Sequence, residues 1–469
     1  MSAWSKVPTH VSLTEWFERP RGPLVNQTLR SLAWWTCALG LLAGGVLLPD
    51  HPRYALLAAG GILFVGFTLM RPMTLPLISM FAIVVVTRVG GGSANLTLSD
   101  FVLFGAFWVA MAFSPRPFSK PMRTMLWLSL LYQVLSLFTV LVNTYTANTV
   151  EWFHAWLLVG GAMVVGWAVG SSGYARLGLT LLLVSSTLIA VLTCIDGFRS
   201  FASTGSFGPV YLSWPFNMHK NLNGCILGFA ALLAYVRPVW VRWSPLFAMS
   251  TFAICAVGLL ATQSRQAIIG LGVSLVIVAF RKDPDRKRSR LVVLAAVPIA
   301  VFVAVKVQDQ LQSDNTFNSA FQRLTWYQQA LTVWNDDQMF GAGLRWWTSG
   351  RTPYAFQPPN AELEVLTSVG TVGLIGFLTL MLGGVVVLWR VNPRYGTLAV
   401  TALISRIVQS QFDLFWVSIQ VSIPFVIVGV CLGAQAYAEQ GNHASSPLHL
   451  RSFRPLPTRT MAKHSKVAT

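Results

Sequence analysis

Long apolar runs separated by short, mostly basic segments dominate the chain. At about 17 to 25 apolar residues per membrane crossing, the pattern predicts about 12 to 14 spans. They lie near residues 31–48, 53–70, 73–88, 97–114, 123–143, 151–170, 175–193, 220–237, 244–262, 264–280, 291–308, 361–389, 396–413 and 416–436. The predicted fold is an all-α integral membrane protein. With the N-terminus inside, the loops after every second span carry Arg71, RPFSKPMR, Arg176, RPVWVR, RKDPDRKRSR and RVNPR, and such an excess of Lys and Arg holds a loop in the cytoplasm.

Two segments on the opposite side are long, 194–219 and 309–360. In the second, Phe321, Leu324, Tyr327, Leu331 and Trp334 recur at helical spacing. They predict an amphipathic helix that ends at the turn Asn335, Asp336, Asp337 and lies on the outer membrane face, capping a cavity. The expected organisation is a cytoplasmic segment 1–30, a membrane domain 31–436 with the large external loop 309–360, and a polar, basic cytoplasmic tail 437–469 expected to be disordered. The polar stretch before the first apolar run exceeds a usual signal-peptide n-region, so that run is expected to stay as a span.

Composition agrees: 54% of the 469 residues are hydrophobic and 11% charged, against roughly 25% charged in soluble domains. The net charge of +18 sits mainly in the cytoplasmic loops of this map and calls for no nucleic-acid partner. Cys37, Cys194, Cys225, Cys255 and Cys431 lie in or beside apolar runs without CxxC or Cys/His spacing, which reads as core thiols with no disulfide framework and no metal site. The informative cations are those on the outer side: Arg53, Arg88, Arg199, Lys220, Arg265, Lys306, Arg323, Arg345, Arg351 and Arg406.

Four motifs collect five of these cations. In TQSR, Thr262 to Arg265, a polar run marks a tight hairpin between two spans; an intramembrane guanidinium is costly, and its fork of donors suits phosphate oxygens. Snorkelling to the interface is the alternative. In HKNLNG, His219 to Gly224, Lys220 is a second phosphate contact and His219 a proton carrier, or the motif is an interfacial cap; only His51, His154 and His219 can reach the outer side. In FQRLTWYQQALTVWNDDQMFGAGLRWW, Arg323 and Arg345 stand among aromatic residues, as in sites that hold sugar faces or in an interfacial belt, and Gly341 and Gly343 allow a sharp turn. In SRIVQSQFD, Arg406, Gln409, Ser410 and Asp413 share one face of one span, a polar stripe that faces a bundle interior as a site or as a structural network. A DxD at Asp283 to Asp285 sits among Arg and Lys in a short cytoplasmic loop and reads as no sugar-nucleotide site.

Together these stretches resemble the superfamily of O-antigen ligases and O-antigen polymerases. The resemblance rests on TQSR, on RLTWYQQALTVWNDDQMFGAGL and on PPNAELEVLTSVGTVGLIG, with LTLSD at 96–100 as a weaker match; it runs from about 215 to 435. It implies transfer of a glycan from an undecaprenyl diphosphate carrier to an acceptor hydroxyl, either of a glycan or of a lipid A-core, at the outer face of a bacterial plasma membrane, with no metal or other cofactor. The partners it implies are a lipid-linked oligosaccharide donor, the acceptor and membrane lipids. Arg265 and Lys220 become ligands of the diphosphate, and Arg323, Arg345, Asn360, Arg406 and Asp413 further substrate contacts. Ligases of this family carry a His-Asn pair where this chain has Pro359 and Asn360. The resemblance thus leaves Glu362, Glu364 or His219 to act as base, or a reaction that runs on leaving-group stabilisation alone. The rival reading is a transporter or flippase for a lipid-linked or anionic substrate, and a third is an inactive glycan-binding relative. Most of the outer charges gather at the rim beside an aromatic loop, which favours surface chemistry over transit.

Overall fold

In the computed structural model, described residues are 71–89, 96–283, 319–354 and 356–444, with scattered positions between 31 and 68 and Gln308. Segments 1–30, 284–307, 309–318 and 445–469 lie outside the described residues, and with them Asp285, Lys306 and nearly all of the predicted span 291–308; so do Cys37, His51 and Arg53. The helices are α1 (Thr74–Ala82), α2 (Leu98–Phe113), α3 (Lys120–Val142), α4 (Thr146–Trp156), α5 (Ala162–Val169), α6 (Ala175–Thr204), α7 (Lys220–Val236), α8 (Pro245–Thr262), α9 (Arg265–Phe280), α10 (Ser319–Asp336), α11 (Ala361–Arg390), α12 (Pro393–Ser410) and α13 (Ser418–Ala444). Apart from two isolated bridges the described residues form no strand.

The chain is an all-α integral membrane protein. Among the described residues five stretches are long and apolar enough to cross a membrane: Lys120–Val142, Thr146–Thr204, Pro245–Thr262, Ala361–Arg390 and Ser418–Gln440; α2, α7 and α9 are shorter apolar helices. Polar punctuation sets the helix starts. Ser244 caps α8 by accepting from Phe247 N at 3.1 Å, with Pro245 behind it; Asn360 caps α11 from Leu363 N at 3.0 Å; Asn392 caps α12 from Arg394 N at 3.0 Å, again followed by proline. A short oxygen acceptor at the cap and proline in the first turn meet the unsatisfied donors there without a clash.

The axis of the bundle is α13, whose apolar stretch is 94% buried inside the protein. It crosses α5 where Gly166 and Gly170 face Gly429 and Gly433. A Cβ at Gly166 would come within 2.2 Å of Val426 O, and one at Gly429 within 2.2 Å of Met163 O. Helices in lipid gain little from hydrophobicity and associate through such close backbone contact. Around this axis α12 packs on α13, α9 on α12, α7 on α8 and α9, and α11 on α3.

Four segments depart from the apolar pattern. The predicted span 73–88 forms only the nine-residue α1; the β-branched run Ile83 to Val86 disfavours helix, and the chain then pairs Val89 N with Leu96 O at 2.9 Å. Residues 194–204 continue α6 rather than opening a loop. The spans 151–170 and 175–193 are joined through two π-helical turns and a break at Gly173, φ 83°. The last helix runs beyond 436 to Ala444.

Candidate functional site

The break between α12 and α13, residues 411–417, is where the predicted site gathers. The helix stops at Ser410, so Asp413 is not on the same helical face as Arg406, contrary to the stripe expected from spacing. Instead the turn presents its groups in several directions. Gln411 Nε2 donates to Glu362 Oε1 at 2.7 Å, Arg323 donates to Phe412 O at 3.2 Å, and Asp413 Oδ2 accepts from Gln266 at 2.5 Å and from Gln420 at 3.4 Å. Arg406, fully buried, donates to Gln420 Oε1 and Leu414 O, both at 2.7 Å, and to Phe415 O, with its guanidinium 4.9 Å above the Phe415 ring. Phe415 N donates to Glu364 Oε2 at 2.5 Å. Arg323, Glu362, Glu364, Arg406 and Asp413 thus meet on one short turn, and Arg265 adjoins it through Gln266.

The two carboxylates on α11 differ in what they hold. Glu364 is buried, with one oxygen on Phe415 N and the other on Gln357 Nε2 at 2.8 Å, which makes it a structural acceptor. Glu362 is half-buried, and its Oε2 is shielded from solvent with no hydrogen-bond partner among the described residues. A buried carboxylate oxygen without a donor has unmet bonding capacity, and it is the better placed to take a proton. Asn360, by contrast, is the cap of α11.

Arg265 is the first residue of α9, immediately after the left-handed Gln263, φ 52°, that closes the hairpin from α8. It is exposed, and the free N–H groups of a helix start reinforce a guanidinium as an anion site. HKNLNG packs on this hairpin, with Gly224 against Ser264. Lys220, at the start of α7, lies over Tyr211 with its Nζ 6.0 Å from the ring centre. His219 caps α7, its Nδ1 accepting from Asn221 N at 3.3 Å. Partial burial holds His219 below its ordinary value, with Lys220 pushing the same way and Asp413 opposing. The shift favours the neutral ring, and with Nδ1 accepting from Asn221 N its proton sits on Nε2.

The long loop is pinned to a break in α11. Gly370 sits at φ 69°, ψ −170°, a region open essentially to glycine alone. The freed backbone pairs with the loop: Ala342 N with Thr367 O, Gly343 N with Ser368 O and Thr371 N with Gln338 O, each at 2.9 Å. Gly341, φ 68°, lies so close that a Cβ would be 2.6 Å from Gly370 N. The polar run NTYTAN, missed as a motif, clamps the other side: Asn143 donates to Gly341 O at 2.9 Å, Tyr145 to Leu344 O at 2.6 Å, and Leu344 N donates to Asn148 Oδ1 at 2.9 Å. Burial pushes the Tyr145 phenol up to about 12, Arg351 opposing. In α10 the inward residues are Ala330 and Val333, packed with Ala342 and Trp347, while Leu324 and Leu331 are exposed. The helix ends at Asp336 as expected; Leu324 and Leu331 of its apolar stripe face outward, Tyr327 and Trp334 are half-buried, and the smaller residues fit against the loop.

A second buried cluster lies on α2 and α4. His154 Nε2 stands 3.3 Å from Asp100 Oδ2 and its Nδ1 3.4 Å from Glu151 Oε1, and Arg345 Nε is 3.8 Å from Glu151 Oε2. Asp100 also accepts from Ser418 and from Thr97 N, the latter at 2.7 Å. Arg345 is therefore held here by Glu151.

Residues 250–378, from α8 into α11, match the family model for O-antigen ligase. Over that stretch the chain is similar to O-antigen ligases. A search of curated proteins finds no match. The matched region contains Arg265, Arg323, Arg345, Asn360, Glu362 and Glu364; His219, Lys220, Arg406 and Asp413 lie outside it. The matched family implies lipid-linked glycan substrates in general.

Proposed function

We propose that the protein transfers a glycan from an undecaprenyl diphosphate carrier to an acceptor hydroxyl at the outer face of a bacterial plasma membrane, as a ligase or polymerase that uses neither a metal nor a nucleotide. The observation that carries this reading is the convergence of Arg323, Glu362, Arg406 and Asp413 on residues 411–417, beside the exposed guanidinium of Arg265 at a helix start. Arg265 and Lys220 bind the diphosphate and stabilise the charge that grows on it as the glycosidic bond breaks. Glu362 takes the proton of the acceptor oxygen as that oxygen bonds to the anomeric carbon. Arg406, buried and spent on Gln420 and the turn's carbonyls, holds the turn in shape rather than touching substrate. Arg345, Asn360 and Glu364 act as positioning residues. The reading favours transfer over transport because the break at Gly370 is filled by the chain's own loop and presents no open path of the kind transporters build at broken helices.

The test is Arg265→Ala in purified protein with a lipid-linked donor. Charge-assisted contacts to phosphate are among the strongest hydrogen bonds, so transfer is expected to fall below detection while membrane insertion stays normal, with partial recovery in Arg265→Lys. Wild-type rates in the alanine variant would overturn the diphosphate assignment.

A further inference from the structure

The loop between α6 and α7 presents aromatic rings beside Lys220. Residues 210–219 fold into a short hairpin: Met218 N donates to Leu212 O at 2.7 Å, Asn217 N to Ser213 O at 3.0 Å, and Val210 N to Ala261 O at 3.1 Å, at the end of α8. Val210, Leu212 and Met218 are buried and anchor the hairpin. Tyr211 and Trp214 between them are left 52% and 69% exposed. From Ala202 to Met218 the chain carries no charged side chain, and exposed hydroxyls and an amide, those of Ser206, Ser213 and Asn217, accompany the rings. A cation stands where the hairpin returns to α7: Lys220 Nζ is 6.0 Å from the centre of the Tyr211 ring, which the His219 ring meets edge-on at 5.3 Å. The same loop is tied to TQSR, where Gln263, two residues before Arg265, donates to Phe207 O at 2.9 Å.

We infer that Tyr211 and Trp214 form the subsite for the first sugars of the lipid-linked donor, stacking on the C–H faces of neutral pyranose rings; the inference rests on the glycan-transfer reading above. The order of charge along the surface supports this assignment. A glycan-bearing diphosphate is anionic at one end and neutral beyond it, and this surface is cationic at Lys220 and neutral and aromatic beyond it. The sugar joined to the diphosphate lies one bond from a phosphate oxygen, so a diphosphate held by Lys220 sets that sugar against Tyr211. Trp214 follows three residues on, at most about 10 Å away at about 3.3 Å per residue, within reach of a short oligosaccharide. An aromatic face is electron-rich and attracts the polarised C–H groups of a sugar. The hydroxyls and the amide around it meet sugar hydroxyls without the cost of desolvating a charge. An amphipathic segment that only anchors a protein among headgroups gains from Lys and Arg beside its aromatic residues, and residues 202–218 contain neither. Because buried anchors pre-form the hairpin, little ordering entropy opposes binding.

The experiment has a lipid arm and a glycan arm, both on the purified full chain in nanodiscs. In the first, tritiated undecaprenyl diphosphate is displaced by unlabelled undecaprenyl diphosphate and by the lipid-linked glycan extracted from the producing organism's own membranes. The wild type is expected to favour the glycan-bearing lipid about tenfold. Tyr211→Ala and Trp214→Ala lose that preference while binding undecaprenyl diphosphate as the wild type does, and Lys220→Ala weakens both lipids together. Retention of the preference in either aromatic variant overturns the inference, and so does an equal loss of both lipids, the result an interfacial anchor gives. In the second arm, 4-trifluoromethylphenylalanine at position 214 is followed by fluorine NMR as glycan released from the lipid by mild acid is added. The same probe at position 127, exposed on α3, serves as control. A saturable shift at 214 alone supports the subsite; no shift at 214, or equal shifts at both positions, overturns it. A shift at 214 in a protein that does not bind undecaprenyl diphosphate keeps the subsite and removes the diphosphate assignment instead.

Discussion

Two carboxylates two residues apart on α11 diverge by about 200° around the helix, and the structure shows what each direction costs. Glu364 points into the bundle and serves Phe415 N and Gln357; Glu362 points toward Gln411 and keeps one oxygen without a donor. Glu362→Gln is expected to lose at least about 100-fold in transfer, the usual contribution of a general base, with unchanged thermal stability. Glu364→Gln sets an amide N–H against Phe415 N–H or against the Gln357 amide, leaving a buried donor without an acceptor. That costs on the order of 1–3 kcal/mol and is expected to appear as a lower melting temperature, with transfer by the folded fraction near wild type. Near-normal transfer in Glu362→Gln would leave His219 as the base or catalysis without a protein base. At this scale the sequence was informative about residue type and silent about partners. That Arg265 opens a helix was legible from TQSR, since a polar run in an apolar chain marks a turn. That Asp413 faces Gln266 was not, because 147 residues separate them and no local pattern encodes the pairing.

Among elements, helix ends were legible wherever a cap or a proline marks them: the spans expected at 220–237, 244–262 and 264–280 are α7, α8 and α9 within a residue or so of each end. The break in α11 was illegible, because SVGTVGLIG reads as continuous apolar helix and only the loop that pairs with Gly370 shows why it opens. On α10 the helical spacing fixes which residues share a face, not whether that face meets protein or lipid. Gly370→Ala tests the element-scale claim. Its Cβ would lie 2.3 Å from Met339 O at a backbone geometry alanine avoids, so the loop is expected to detach, with faster proteolysis near Gly341 and loss of transfer. Gly205→Ala, φ 68° with nothing within 4 Å, carries strain without the clash and is expected to cost about 1–3 kcal/mol at most and to retain transfer. Equal behaviour of the two variants would show that loop docking is not what Gly370 serves.

For the molecule as a whole, the site reading depends on residues 309–360 lying on the outer side, as the alternation of basic loops predicts. Single cysteines at Gly350 and at Arg237, in a cysteine-free background, are expected to react with a membrane-impermeant reagent from outside and from inside respectively. Labelling of position 350 only after the membrane is opened would invert the map and with it the outer-face assignment. The apolar pattern established a membrane bundle but not which helix lies at its centre, since core and lipid-facing helices are alike in composition. That centre is α13, and it has a consequence in time. A chain is made in order, and α13 follows every described helix that surrounds it. Until it leaves the ribosome, α5 and α12 stand in the bilayer with no axis, and Gly166 and Gly170 face lipid or a vacancy. The enclosing helices must therefore assemble loosely enough to admit a late and enclosed member, and the turn at 411–417, on which the site is built, takes its final shape only after α13 has been made.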